Sequence, residues 1–186
     1  YPEVDHQRTV TFLKSGFWIV SDLMQPKDEN PHSYKQLWHM PPAANQQINR
    51  SNGTISSDML DANIIIGSND GVIQEDMGWY TVRWGVFQES PYAYFAKDNV
   101  VGNVGFDTVI FPYATQGQGA AKTEDINLGV PVDVATAMRM TTTMDGQTSE
   151  THYMLEYEPP KGTTRTFGEF AGDGMVNVVR TDEDGN

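Results

Sequence analysis

The sequence predicts an all-β protein: an antiparallel β-sandwich with room for a second, smaller sheet unit. Apolar residues alternate with polar ones at period two in nearly every apolar stretch. Asn52-Gly53, Asp70-Gly71 and Asp145-Gly146 punctuate these stretches with pairs suited to hairpin turns. Nowhere does an apolar spacing of three and four persist beyond a helical turn or two.

In chain order, Val10 and Phe12 alternate with Thr9 and Thr11, and Lys14-Ser15-Gly16 supplies a tight turn. Phe17-Trp18-Ile19-Val20 is apolar on both faces, so this strand is expected in the interior, with Trp18 in the core. Gln25 to Pro31 leads to a third strand, where Tyr34, Gln36, Trp38 and Met40 alternate with Lys35, Leu37 and His39; Trp38 is expected in the core too. The three read as a meander. Pro41 to Thr54 is a polar loop leading to a hairpin, Ile64-Ile65-Ile66 a buried strand, and Ser68-Asn69-Asp70-Gly71 a hairpin turn. From Trp79 to Phe87 alternation is strict: Tyr80, Val82, Trp84 and Val86 share one face, and Thr81, Arg83, Gly85 and Phe87 the other.

Strands follow at Tyr92 to Phe95 and Val104 to Tyr113. Ala114 to Thr123, ATQGQGAAKT, has no period and reads as a loop or linker. Residues 1–113 are thus expected to hold the sandwich strands, and 124–186 further antiparallel hairpins in the same or an adjoining sheet. These are Val130 to Thr143 with its partner beyond Asp145-Gly146, then Thr166 to Phe170 with Met175 to Val179, for about a dozen strands in all.

Composition narrows the function. With 186 residues the chain is long enough for a sizeable core, and with no cysteine it has neither disulfides nor thiolate metal sites. No apolar run reaches the roughly 18 residues that span a bilayer, so no membrane partner is expected. The net charge is −13, and no two of the twelve Lys and Arg residues are adjacent. Without a basic strip to follow a phosphate backbone, nucleic acid is excluded as an expected partner. No basic and apolar leader stands at Tyr1 to Asp5, and the chain enters a strand almost at once, as a fragment would.

Few constellations carry chemistry. His6, His32, His39 and His152 invite a metal, but none stands in His-x-His spacing and no carboxylate sits at a matching strand offset, so no cofactor is expected. Asp182-x-Asp184-Gly185-Asn186 opens like a calcium loop and lacks its remaining ligands; a solvated turn is the simpler account. No Gly-x-Ser-x-Gly elbow occurs, and no acid pair stands apart from the many carboxylates. Trp79, Tyr80, Trp84, Tyr92 and Tyr94 could stack on pyranose rings, with Arg83 or Arg139 holding a uronate carboxylate. Tyr80 and Trp84 share a face with Val82 and Val86, as core residues do. Trp79, Arg83 and Tyr92 remain as substrate-binding candidates, and no residue stands out as catalytic.

Two stretches carry a family resemblance. Arg8, Val10, Phe12, Gly16-Phe17-Trp18-Ile19-Val20-Ser21-Asp22 and His32-Ser33-Tyr34-Lys35-Gln36-Leu37-Trp38-His39 are similar in order and spacing to later sandwich strands of heparinase II/III-like polysaccharide lyases. Gly78-Trp79-Tyr80-Thr81-Val82-Arg83-Trp84-Gly85, Ser90-Pro91-Tyr92 and Thr108-Val109-Ile110-Phe111-Pro112 resemble a strand set further along the same family. Together they cover most of residues 6 to 113. The resemblance implies the C-terminal β-sandwich portion of a bacterial, periplasmic or secreted lyase. Such an enzyme cleaves uronate-containing polysaccharide by β-elimination, in a cleft between an upstream helical toroid and the β-sheet domains. The family's catalytic and metal-binding positions lie upstream of the stretches matched here. None is carried over, and the chain alone is expected to be non-catalytic, its partners being the toroid and, weakly, the polysaccharide. The alternatives are an autonomous carbohydrate-binding module and a purely structural β-sandwich.

Overall fold

The computed structural model describes residues 3–42, 46–58, 63–114, 119–158 and 163–182. Among the described residues fifteen strands are present: β1 (Val4–Leu13), β2 (Phe17–Pro26), β3 (His32–His39), β4 (Gln46–Asn49), β5 (Thr54–Asp58), β6 (Asn63–Gly67), β7 (Val72–Arg83), β8 (Val86–Val100), β9 (Val104–Tyr113), β10 (Gly119–Asp125), β11 (Ala135–Met144), β12 (Gln147–Glu156), β13 (Arg165–Phe167), β14 (Phe170–Gly172) and β15 (Val176–Asp182). They form a six-stranded sheet in the order β1-β2-β9-β6-β5-β4, a four-stranded sheet β10-β11-β12-β15, a three-stranded sheet β3-β8-β7 and the small pair β13-β14. All pairings are antiparallel.

The six-stranded sheet is the middle layer, because both of its faces are apolar. Phe17, Ile19, Ile65, Val109 and Phe111 pack against Met138, Met140, Tyr153 and Leu155 of the four-stranded sheet. From the opposite face, Ile55, Ile66, Val104 and Phe106 pack against Tyr34, Ile73, Ala93 and Phe95 of the three-stranded sheet. Alternation along β9 sends Val104 and Phe106 one way and Val109 and Phe111 the other. A strand buried on both faces reads as a near-continuous apolar run, as β9 does.

Each interface also contains a buried carboxylate. Facing the three-stranded sheet, Asp22 is fully buried; Arg8 donates to both its oxygens at 2.6 and 2.7 Å, Gln36 Nε2 to Oδ2 at 2.8 Å, and His6 Nε2 lies 2.8 Å from Oδ1. Gln36 Oε1 in turn accepts from Thr108 at 2.6 Å, so one side chain of β3 is tied to both β2 and β9. Burial pulls the Asp22 carboxyl upward, but the hydrogen bonds from Arg8, Gln36 and His6 outweigh it and hold the group below its ordinary range. Facing the four-stranded sheet, Asp107 accepts from Ser21 and from Thr136. Burial and the nearby charge of Asp70 push Asp107 up to about 7, against the hydrogen bonds from Ser21 and Thr136.

Several expectations need correction. The first three strands are not a meander: β2 pairs with β9, and β3 crosses to another sheet. Ser68 to Gly71 is not a hairpin turn but a crossover between sheets. It is fastened by Ser68 Oγ to the Asp107 carbonyl, by Asp70 to the Asp107 amide and by the Asp70–Lys97 ion pair. Gly71 has φ +76°, and a Cβ there would meet the Ala96 carbonyl at 2.5 Å. Of the loop or linker expected over 114–123, Gly119 to Thr123 are strand, while 115–118 lie outside the described residues. The strand expected from Val130 begins only at Ala135. The last expected hairpin is instead β13 with β14, and β15 joins the edge of β12.

Neither Trp18 nor Trp38 is a core residue. Trp38 is half-buried at the margin of its cluster, and Trp18 is 37% exposed. The three-stranded sheet stops short of the corner of the middle sheet where Trp18 lies beside Phe12, their ring centroids 5.2 Å apart.

Two measurements check these contacts. Phe106→Ala, removing a fully buried ring, should cost about 3 to 5 kcal/mol in equilibrium unfolding, and Trp18→Ala about 1 kcal/mol. Equal costs would mean that the corner is covered. Because the Asp107 pKa is raised on folding, its contribution to stability is full below about pH 4 and is lost as pH rises through about 7. Asp107→Asn should flatten the decline between those values, whereas Asp22, held low, loses its contribution only on the acid side.

Candidate functional site

Two surfaces stand out, an arm and a cleft. The arm is the distal half of the β7–β8 hairpin. Ser90 is the buried residue of β8 nearest the tip, its hydroxyl donating to the Met40 carbonyl, and every residue from Trp79 to Glu89 is exposed. Trp84-Gly85 makes the turn between the paired residues Arg83 and Val86, with Gly85 at φ +74°. Glycine suits that left-handed position because it has no Cβ.

Exposure on the arm reaches 100% for Trp84, 67% for Trp79 and 64% for Phe87. Tyr80 and Trp84, assigned to a core face by their alternation with Val82 and Val86, are therefore solvent-facing. The hairpin outruns the layer beneath it, and alternation reports which residues share a face, not whether that face is covered.

The three substrate-binding candidates do not form one constellation. Register puts Trp79 across from Glu89 and Tyr92 across from Asp76, on opposite faces of the sheet, with Arg83 near the tip. Tyr92 belongs to an aromatic ladder on the outer face. Its ring stacks on His39 with centroids 4.9 Å apart and on Tyr94 at 5.8 Å, while Lys35 lies 4.5 Å over Tyr94. The Tyr92 hydroxyl donates to Asp76 and the Tyr94 hydroxyl to Gln74. Partial burial and the Asp76 carboxylate hold the Tyr92 phenol above its ordinary range. Gly78 makes room for this ladder, since a Cβ there would lie 3.1 Å from the Tyr92 ring. Arg139, the alternative carboxylate ligand, is engaged with Glu124.

The cleft, of about 780 Å³, opens between the end of β3 and the middle sheet, walled by Trp38, Met40, Ile64, Ile110 and Pro112. Ser57 and Asn63 also line it, and Ser57 Oγ and Asn63 Oδ1 are buried without a hydrogen-bond partner among the described residues. Cross-strand pairing continues its apolar wall as a row, Ile66, Ile110, Trp18 and Phe12, whose outer end is 56% exposed at Phe12. No sequence signal marked this cleft, because it arises where three strands distant in sequence leave a corner open.

The histidines are dispersed: His6 meets Asp22, His32 meets Asp28, His39 stacks on Tyr92, and His152 meets Glu150. Among the described residues no group of three His, Asp or Glu side chains could hold a metal ion. The Asp182 to Asn186 turn lies outside the described residues beyond Asp182.

No family model matches the chain, and no curated protein matches it in sequence. Solved structures do match it. Heparan sulfate lyase HepC from Pedobacter heparinus overlays with a TM-score of 0.65 at 21% identity, over 80% of this chain and 23% of that one. A heparinase III with methylated lysines gives 0.65 at 16% identity, over 83% and 24%. A further heparinase III structure gives 0.64 at 14% identity, over 83% and 24%. The chain spans about a quarter of the length of the lyase structures it matches. Over the part that it overlays, its stack of antiparallel sheets has the fold of these lyases.

Proposed function

We propose that the chain is the C-terminal β-sheet portion of a polysaccharide lyase that cleaves uronate-containing polysaccharide by β-elimination outside the cytoplasm, and that this portion is itself non-catalytic. It supports a catalytic domain and borders the substrate cleft. The observation that carries this is the fold likeness over four fifths of the chain to lyases of which it spans only about a quarter.

Physical features point the same way. β-Elimination needs a group to neutralise the uronate carboxylate, a base for the C5 proton and an acid for the leaving oxygen, all held around one sugar. Several tyrosines and histidines are engaged elsewhere: Tyr92 and His39 in the outer ladder, Tyr153 with the hydroxyls of Thr11 and Ser21, and His6 with Asp22. A displacement of about 1 Å can cost on the order of a hundredfold in rate, so scattered groups do not substitute for an assembled site. The open corner, with Phe12 and Trp18 exposed beside the cleft, suits a surface that another domain of the same protein covers. That domain would also supply the hydrogen bonds that Ser57 Oγ and Asn63 Oδ1 lack among the described residues.

The isolated chain should therefore release no unsaturated uronate from heparin, heparan sulfate or alginate, followed by the ultraviolet absorbance of the conjugated product. A steady rise proportional to protein concentration and abolished by one substitution in this chain would refute the proposal.

A further inference from the structure

We infer that the β7–β8 arm is a glycan-binding finger on which Trp79 and Trp84 stack against sugar rings while Arg83 takes a uronate carboxylate. This deepens the proposed function and rests on it. The first observation is exposure: an indole wholly in water at a turn, with a second two-thirds exposed on the adjoining strand, is costly without a partner. Neither indole contributes to a core cluster, so folding does not account for them.

A second, independent observation is the state of Arg83. Every other arginine has a polar partner: Arg8 has Asp22, Arg50 has Glu75, Arg139 has Glu124, Arg165 has Glu156, and Arg180 has the Ser149 hydroxyl. Among the described residues Arg83 has none, although the chain carries 25 acidic residues. A guanidinium presents a planar fork that matches a carboxylate at two points, so an unengaged arginine between two exposed indoles is suited to an acidic sugar.

Net charge at first argues against an acidic ligand, since the chain carries −13. Distance decides otherwise. Four to five residues separate the Gly78–Ser90 pair, where burial ends, from the Arg83–Val86 pair. At about 3.3 Å per residue the tip stands on the order of 15 Å from the body. The Debye length at physiological ionic strength is about 8 Å, so the body's charge is largely screened at the tip, while a carboxylate in contact with Arg83 is not.

The form of the arm favours a glycan over a flat partner. Trp79 and Phe87 lie on one face and Tyr80 on the other, so a flat protein surface would cover one set and leave the other wet. A sugar chain running past the tip can touch both.

The test is a titration of intrinsic tryptophan fluorescence with an unsulfated hexasaccharide alternating glucuronate and N-acetylglucosamine, with a chitin hexasaccharide as the neutral control. Saturable change with the acidic sugar is expected. Trp84→Ala and Arg83→Gln should each weaken it about tenfold, and Arg83→Lys less. High salt should weaken the parent chain and leave Arg83→Gln nearly unchanged. Circular dichroism checks that the variants fold, which the full exposure of Trp84 favours.

Absence of a saturable signal, or equal affinity in the parent chain and both arm variants, overturns the finger. Binding that survives both variants does so while leaving the proposed function standing, whereas release of unsaturated uronate by the chain refutes that function whatever the arm does. Protection of Trp84 from acrylamide quenching by lipid vesicles or by raised protein concentration, but not by the hexasaccharide, assigns the arm to a bilayer or a second copy and overturns the inference.

Discussion

The three-layer arrangement depends on what happens at Asp22. A carboxylate with no exposed surface has lost its water, and several kcal/mol would oppose folding if nothing replaced it. Arg8 and His6 replace it from the neighbouring edge strand, and Gln36 from the opposite layer. The requirement therefore acts across the sheet interface: Asp22 can be buried only when β3 lies where Gln36 reaches both it and Thr108. Removing one partner is expected to cost more than the net worth of the pair, because the charge left behind remains buried. Register at the interface is fixed by this directional network, whereas Phe95 and Phe106 supply burial that by itself tolerates small shifts.

Asp107 has the corresponding place at the other interface, with an opposite electrostatic outcome. Its hydrogen-bond partners Ser21 and Thr136 are neutral, and Asp70 adds a like charge, so burial prevails and the proton is retained to higher pH. One interface holds an ionised carboxylate and the other a carboxylate poised near neutrality. The difference follows from arginine and histidine on one side against hydroxyls on the other.

Much of this was legible in the sequence, and the failures share a cause. Period two located β2, β3, β9 and the turn at Asp145-Gly146, which has the positive φ values at both central residues that such a pair favours. Which sheet a strand joins was not legible. β3 alternates as an edge strand would whether it pairs with β2 or with β8, and Ser68 to Gly71 has hairpin chemistry although it serves a crossover. The arm misled for a related reason: Tyr80 and Trp84 alternate with valines as a core face does, but that face is exposed. Of the site candidates, Trp79 and Arg83 are exposed, Tyr92 is packed into a ladder, and the cleft was not foreseen. The residues that carry the family resemblance include Arg8, Asp22, Gln36 and Trp38. Their common position is the Asp22 network and its margin, where they tie two sheets together.

The dependence on Asp22 is tested most directly by a double-mutant cycle between Asp22→Asn and Gln36→Leu, read by equilibrium unfolding in denaturant. Coupling of about 1 to 3 kcal/mol is predicted, because each side chain satisfies the other across the interface. Additive costs, within about 0.5 kcal/mol, would show that the two layers associate without this contact and would contradict the account.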